Sequence, residues 1–367
     1  MARIVIAGGG TGGHLFPGIA LAQELKVRDK NAEIIFVGTK KGIESRKLPQ
    51  LGFDLVKISI LGLSRKATFK NLLVPLGLVR GMIQSFVFLG KFNPDLVVGT
   101  GGYASYPVLL LANLKGIPTL IQEQNSYPGI TTRLLASRAD KVCLTYDSSL
   151  KHFRQYKKNP DKFKVLGNPI RKEITCGDGT LAQKKFNLKA NQKTIFIFGG
   201  SQGAHRINMA VLEALDDIND DFQILWQPGE RDFDYVSEKV KSKKINISLF
   251  PFINEMGLAY AAADLIVSRS GALTLAEITA CGKPAILIPY PFAAADHQRF
   301  NAQELEDKGA AKVILENQLD GKKLAGLINQ LLSDENALKR MSQASKSLAK
   351  PDAASKIADE IEQLLKK

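Results

Sequence analysis

Short apolar runs recur along the whole chain, separated by glycine turns and helical patterns. In the first half these runs are Ile4–Ala7, Ile34–Val37, Leu55–Ile60, Leu96–Val98, Thr119–Gln122 and Lys141–Thr145. In the second half they are Thr194–Phe198, Gln223–Trp226, Ile247–Phe250, Leu265–Val267 and Ala285–Pro289. Runs of this length predict strands buried on both faces, as in parallel sheets. Between them, apolar residues fall at helical spacing, as in Ile19, Ala20, Leu21, Ala22 and Leu25. Such alternation predicts an α/β chain built from doubly wound parallel sheets.

The first strand runs into Gly8-Gly9-Gly10-Thr11-Gly12-Gly13-His14 and then into a helix. A strand that turns through glycines into a helix aims unpaired backbone N–H groups and the positive helix end at one point, which suits a phosphate. His14 lies in the first helical turn, where an imidazole beside an anion site is a candidate general base. The alternative is a Rossmann turn with an incidental histidine. A nicotinamide dinucleotide site fits poorly. Its fingerprint wants an acidic residue at the end of the second strand, but that strand ends in Gly38-Thr39, and Asp29 precedes it.

An internal echo supports two such domains. Residues 194–205 repeat the strand, glycine turn and helix start, with Gly8 matching Gly199, Gly12 matching Gly203 and His14 matching His205. A third turn, Gly99-Thr100-Gly101-Gly102-Tyr103, follows Leu96–Val98. The expected join lies in Val165-Leu166-Gly167-Asn168-Pro169, which gives domains 1–165 and 166–352 facing a shared cleft. A last helix, 353–367, could pack on either domain.

At 367 residues the chain suits two domains. Its net charge of +14 is lopsided: residues 1–165 hold 24 Lys+Arg against 10 Asp+Glu, and the remainder 26 against 26. The first half should therefore meet something anionic: a phosphorylated acceptor, a nucleic acid or an acidic membrane surface. No nucleic-acid signature is present, so no nucleic-acid partner is expected. Cys143, Cys176 and Cys281 have no paired spacing, which argues against disulfides and a zinc site. With an apolar strand directly after Met1, no signal peptide is expected.

In the second half, Gly271 opens a turn, and the amides of Ala272, Leu273 and Thr274 begin a helix suited to a diphosphate. Glu277 could accept ribose hydroxyls or simply favour the helix N-terminus. Gln298, in Asp296-His297-Gln298, suits sugar hydroxyls, although a helix cap explains the tripeptide equally well. Asp232-Phe233-Asp234 resembles a metal-holding aspartate pair but reads as a solvated helix start. No metal is expected.

Together GGGTGGH (8–14), GTGGYASYP (99–107), EQNSYPG (123–129), GNPIR (167–171), GGSQGA (199–204), SRSGALTLAE (268–277) and DHQ (296–298) resemble the MurG family. These are UDP-N-acetylglucosamine transferases that make the second membrane-bound peptidoglycan precursor of bacteria. The resemblance spans nearly the whole chain. It implies a GT-B fold of two Rossmann-like domains, with no cofactor and no metal. It also implies inverting transfer of GlcNAc from UDP-GlcNAc to the C4 hydroxyl of undecaprenyl-pyrophosphoryl-MurNAc-pentapeptide (lipid I).

By that resemblance Thr11, Gly12 and Gly13 approach the donor, and His14 is the base or a hydrogen-bond partner at the acceptor hydroxyl. Asn125 touches GlcNAc, while Arg171 and Ser201 touch the nucleotide side. Ile253 bonds uracil through its backbone, Ala272 to Glu277 hold phosphate and ribose, and Gln298 holds the sugar. Thr100, Gly101, Gly102, Tyr103 and Ser105 are candidates for the acceptor's pyrophosphate. The family motif before Asn125 often begins with histidine; here Gln122 stands there, leaving Glu123 as the alternative base.

A lipid-linked acceptor also implies peripheral attachment to the cytoplasmic face of the bacterial cell membrane, with other cell-wall synthesis proteins as candidate partners. Residues 61–92 combine apolar bulk with Arg65, Lys66, Lys70, Arg80 and Lys91. Leu63 to Val79 is expected to meet anionic lipid, and Ile83 to Leu89 to face the core. Rival readings are a related transferase with another lipid acceptor, a UDP-GlcNAc epimerase, or a nucleotide-sugar sensor that turns nothing over.

Overall fold

A computed structural model of the chain describes residues 1–40, 42–60, 74–200 and 202–366. It divides into two compact units, Met1–Arg171 with Pro351–Lys367, and Lys172–Lys350.

The first unit runs β1 (Arg3–Gly8), α1 (Gly12–Arg28), β2 (Glu33–Thr39), α2 (Glu44–Gln50), β3 (Asp54–Ile58) and α3 (Val74–Phe92). It continues through β4 (Leu96–Gly101), α4 (Ser105–Leu114), β5 (Thr119–Glu123), α5 (Ile130–Leu135), β6 (Lys141–Leu144) and β7 (Phe163–Val165). These strands form a parallel sheet in the order β3-β2-β1-β4-β5-β6-β7. Alternate residues of β1 feed two cores: Ile4 and Ile6 join Ile19 and Phe36, while Val5 and Ala7 join Val97 and Val108. Both faces are covered, so the strand reads as an unbroken apolar run.

The second unit comprises α6 (Gly179–Lys185), β8 (Lys193–Phe198), α7 (His205–Ala214), β9 (Phe222–Gln227), α8 (Phe233–Val240), β10 (Asn246–Leu249) and α9 (Met256–Ala262). Then follow β11 (Leu265–Ser268), α10 (Ala272–Ala280), β12 (Ala285–Leu287), α11 (His297–Glu306), β13 (Ala311–Val313), α12 (Gly321–Ser333) and α13 (Glu335–Ser347). Its parallel sheet has the order β10-β9-β8-β11-β12-β13.

The final helix, α14 (Ala353–Leu365), belongs to the first unit. Ile357, Ile361 and Leu364 are buried in the core that contains Ile19 and Phe36. Arg28 of α1 donates to Asp359 at 2.7 Å, Glu362 at 3.1 Å and the Ser355 carbonyl at 2.8 Å. The first unit also extends to Arg171 rather than stopping at Val165. The N–H groups of Leu166 and Gly167 donate to the Leu144 carbonyl, and Leu166 packs on the first unit's core, so the turn-rich segment stays with β6.

Two strands lie outside the sequence reading, β7 and β13. Each has three residues at a sheet edge with a lysine in the middle, Lys164 and Lys312. Such charged, short edges resist pairing with other chains and carry little apolar signal.

The expectation for α3 also needs correction. Its buried residues are Gly81, Ser85, Leu89 and Phe92, whereas Ile83, Phe86 and Val87 are exposed, as are Leu76 and Val79. The small residues at 81 and 85 let the helix backbone approach its neighbours, so that side turns inward and the bulky side turns out. Most of the expected lipid-facing segment, its residues 63–73, lies outside the described residues. No helix among the described residues is long and apolar enough to cross a membrane.

Candidate active site

In each sheet the strand order reverses once, between β1 and β4 and between β8 and β11. Parallel α/β sheets bind ligands at the carboxyl ends flanking such reversals, and the glycine turns lie there.

In the first unit the turn after β1 crosses the turn after β4 backbone to backbone. Gly101 and Gly102 have φ of 98° and 80°. A Cβ at Gly102 would come within 2.6 Å of the Gly9 carbonyl oxygen, and one at Gly101 within 2.7 Å of His14 Nδ1. Only glycine permits both the conformation and the approach.

The crossing fixes His14. Its Nδ1 lies 3.1 Å from the Thr100 carbonyl oxygen and 3.0 Å from Gln124 Oε1. Gln124 Nε2 donates to the carbonyls of Thr100 at 2.8 Å and Gln122 at 3.0 Å, so the amide's oxygen must face the ring. Both neighbours of Nδ1 are therefore acceptors. The neutral ring carries its proton on Nδ1 and keeps a lone pair on Nε2.

Glu123 is buried, and its carboxylate is already engaged. Oε1 accepts from the Asn125 N–H at 3.0 Å and Nδ2 at 3.2 Å, and Oε2 accepts from the Gly129 N–H at 3.0 Å. It shapes the loop that carries Asn125. Thr100 and Ser105, expected at the acceptor's pyrophosphate, are also buried. The Ser105 hydroxyl donates to the Gly102 carbonyl at 2.8 Å, and the Thr100 carbonyl serves His14, so both hold the turn rather than face a ligand. Tyr103 is exposed, and Gly101 and Gly102 are partly so. Thr11, the N-cap of α1, is exposed and makes no side-chain capping bond, with Gly12 and Gly13 beginning the helix. Arg171 is the last residue of this unit's main segment, its guanidinium 5.3 Å from the Phe16 ring centre.

In the second unit Gly271 caps α10 without a side-chain bond. The N–H groups of Ala272, Leu273 and Thr274 thus head a helix as donors without an intrahelical partner, at its positive end. Glu277 is buried and accepts from the Tyr260 hydroxyl at 2.8 Å, which fixes the carboxylate. The Ile253 N–H donates to Gln227 Oε1 at 2.8 Å, while Gln227 Nε2 donates to the Gly200 carbonyl at 3.1 Å. A base bonded through that N–H would therefore displace Gln227. Gln298 Oε1 accepts from the Tyr290 N–H at 2.9 Å, leaving Nε2 without a partner among the described residues. Asp296 makes no capping bond and sits at φ 55°, so the cap reading of the tripeptide does not hold. Ser201 lies outside the described residues.

The two histidines of the echo differ. His14 is within the first turn of α1, but His205 opens α7, and its Nδ1 lies 3.1 Å from Asp232 Oδ1. Asp232 also accepts from Asn208 Nδ2 at 2.7 Å, and Asn208 Oδ1 accepts from Trp226 Nε1 at 3.2 Å. Asp232 is buried, not a solvated helix start. Burial pushes the Cys281 thiol up to about 12 and that of fully buried Cys143 higher still, so neither is a ready nucleophile.

Comparison with known proteins agrees with this layout. Residues 4–144 match the glycosyltransferase family 28 N-terminal domain, and residues 194–357 match the C-terminal domain of the same family. A protein of Thermodesulfovibrio yellowstonii is 43% identical, with 100% of this chain and 99% of the relative covered. It is named UDP-N-acetylglucosamine–N-acetylmuramyl-(pentapeptide) pyrophosphoryl-undecaprenol N-acetylglucosamine transferase. The chain belongs to the MurG family of N-acetylglucosamine transferases.

The crystal structure of Acinetobacter baumannii MurG superposes with a TM-score of 0.79 at 28% identity, covering 99% of this chain and 100% of that one. The Neisseria meningitidis UDP-GlcNAc 2-epimerase bound to UDP-GlcNAc gives a TM-score of 0.71 at 14% identity, covering 99% of this chain and 100% of its own. At that identity the likeness shows the fold alone. The MurG-family motifs thus come with partners that sequence reasoning missed, namely Gln124, Tyr260 and Gln227. Their signal is weak, because a polar residue at a strand end does not announce which group it will meet.

Nitrogen NMR of His14 should find the proton on Nδ1, and Gln124→Leu should shift the ring toward the other tautomer. A native ring protonated only on Nε2 would contradict the assignment.

Proposed function

We propose that this chain transfers GlcNAc from UDP-GlcNAc to the C4 hydroxyl of lipid I, forming lipid II with inversion at the anomeric carbon. The observation that carries this reading is the tethered His14, whose Nδ1 is bound to two acceptors and whose Nε2 is left to take a proton. Nε2 accepts the C4 hydroxyl proton as the oxygen attacks C1 from the face opposite UDP. The bond from C1 to the β-phosphate oxygen breaks, and its electron pair leaves with UDP.

Negative charge then grows on the diphosphate. Amides of Ala272, Leu273 and Thr274 stabilise it without reorganising, with Arg171 and Ser201 on the nucleotide side. Glu277, steadied by Tyr260, accepts ribose hydroxyls. Ile253 meets uracil, and Gln298 Nε2 and Asn125 meet sugar hydroxyls. Thr11, Gly12 and Gly13 line the approach to the donor, and Gly101, Gly102 and Tyr103 meet the acceptor's pyrophosphate. Glu123 is not the base in this scheme, because its oxygens already hold the Asn125–Gly129 turn. The chemistry calls for no metal, since amides and a guanidinium supply the positive charge.

The acceptor's lipid requires a membrane surface. Supporting peripheral attachment, α3 exposes Leu76, Val79, Ile83 and Phe86 beside Arg80 and Lys91. Apolar side chains with a basic rim suit the interface of an anionic leaflet. The cytoplasmic face follows from the nucleotide-sugar donor.

His14→Ala should lower kcat by about 10²–10⁴-fold and leave the KM for UDP-GlcNAc within about twofold, measured as acceptor-dependent UDP release. A variant with native kcat would remove His14 from the chemistry. Ile83→Glu with Phe86→Glu should abolish sedimentation with phosphatidylglycerol vesicles at low salt. Unchanged sedimentation would assign attachment elsewhere.

A further inference from the structure

Glu44, at the start of α2, is fully buried, yet no lysine or arginine pairs with it among the described residues. Its charge is met by neutral donors. Oε2 accepts from the Gly10 N–H at 3.0 Å, and Oε1 accepts from the Thr39 N–H and the Thr39 hydroxyl, each at 2.8 Å. Glycines wrap the group closely. A Cβ at Gly9, Gly38 or Gly42 would lie 2.6, 2.7 or 2.1 Å from the nearest Glu44 side-chain atom.

In a dinucleotide-binding sheet, the glycine turn after the first strand turns its N–H groups to a phosphate. Here the chain's own carboxylate takes such a donor. The corner between the carboxyl ends of β1 and β2 is therefore filled from within, which gives a positive reason why no dinucleotide belongs there.

The filling also has a mechanical effect. Strand β1 lies between β2 and β4. Its glycine turn is held on the β4 side by the close approach of Gly9 and Gly102, and on the β2 side by Glu44. The turn leads directly into Thr11 and His14.

We propose that Glu44 is a positioning residue, an internal anion that replaces a bound phosphate and fixes the turn from which His14 projects. Its kinetic consequence rests on the role proposed for His14; its effect on the ring does not. In Glu44→Gln the amide nitrogen must face either the Gly10 N–H or the Thr39 N–H, so donor meets donor and the turn shifts. Small displacements of a reacting group are costly. Glu44→Gln should therefore lower kcat by about tenfold or more and leave the KM for UDP-GlcNAc within about twofold. Glu44→Asp, which keeps the charge, should fall between the two. Formate should restore part of the activity of Glu44→Ala by re-entering the vacated corner.

Nitrogen NMR of His14 reads the positioning without turnover. The folded Glu44→Gln or Glu44→Asp chain should show a displaced or mixed-tautomer His14 signal. A native His14 signal and native kcat in either folded variant overturn the proposal, as does a loss of kcat that follows the folded fraction alone. If the native chain shows no acceptor-dependent UDP release, the transferase reading fails, while the NMR comparison still decides the role of Glu44.

Discussion

The site in the first unit depends on a steric fact, the contact of two backbones with no side chain between them. The turn after β1 and the turn after β4 approach until Gly102 sits where any Cβ would strike the Gly9 carbonyl. That closeness brings the Thr100 carbonyl to His14 Nδ1 and, with Gln124, decides which ring nitrogen keeps its lone pair. With two acceptors facing Nδ1, the neutral tautomer that carries its proton there is the one that satisfies them. A histidine otherwise free to interconvert is held in one tautomer, with Nε2 as its lone-pair nitrogen.

The second unit solves a different problem with the same turn chemistry. Its features gather neutral donors and a fixed carboxylate: the start of α10 without a side-chain cap, the Tyr260–Glu277 pair, and Gln298 Nε2, which has no partner among the described residues. In the proposed reaction, oriented dipoles of this kind would stabilise a departing diphosphate because they are already in place when charge develops. The charge distribution agrees, with the excess of lysine and arginine confined to the half whose expected partners are a lipid-linked pyrophosphate and an anionic surface.

Much of the fold was legible because strands covered on both faces must be continuously apolar, as β1 and β8 are. The glycine turns were legible because close backbone approach admits no other residue. Edge strands such as β7 escaped notice, since a three-residue segment centred on lysine has no period to read. The orientation of α3 was misread because its bulky stripe and its small-residue stripe are both compatible with burial, and packing at Gly81 and Ser85 decided between them. Polar partnerships were the least legible. Asp232 looks like a solvated helix start until Asn208 and His205 are seen folded onto it, and Glu44 carries no sequence mark of the glycines that surround it.

The central claim is that His14 activates the acceptor for a single inverting displacement. Its most direct test is the anomeric configuration of the disaccharide made from UDP-GlcNAc and a short-chain lipid I analogue, in the presence of EDTA. The account predicts a β-linkage to C4, with UDP released only when the acceptor is present. An α-linked product, or UDP released equally without acceptor, would contradict it.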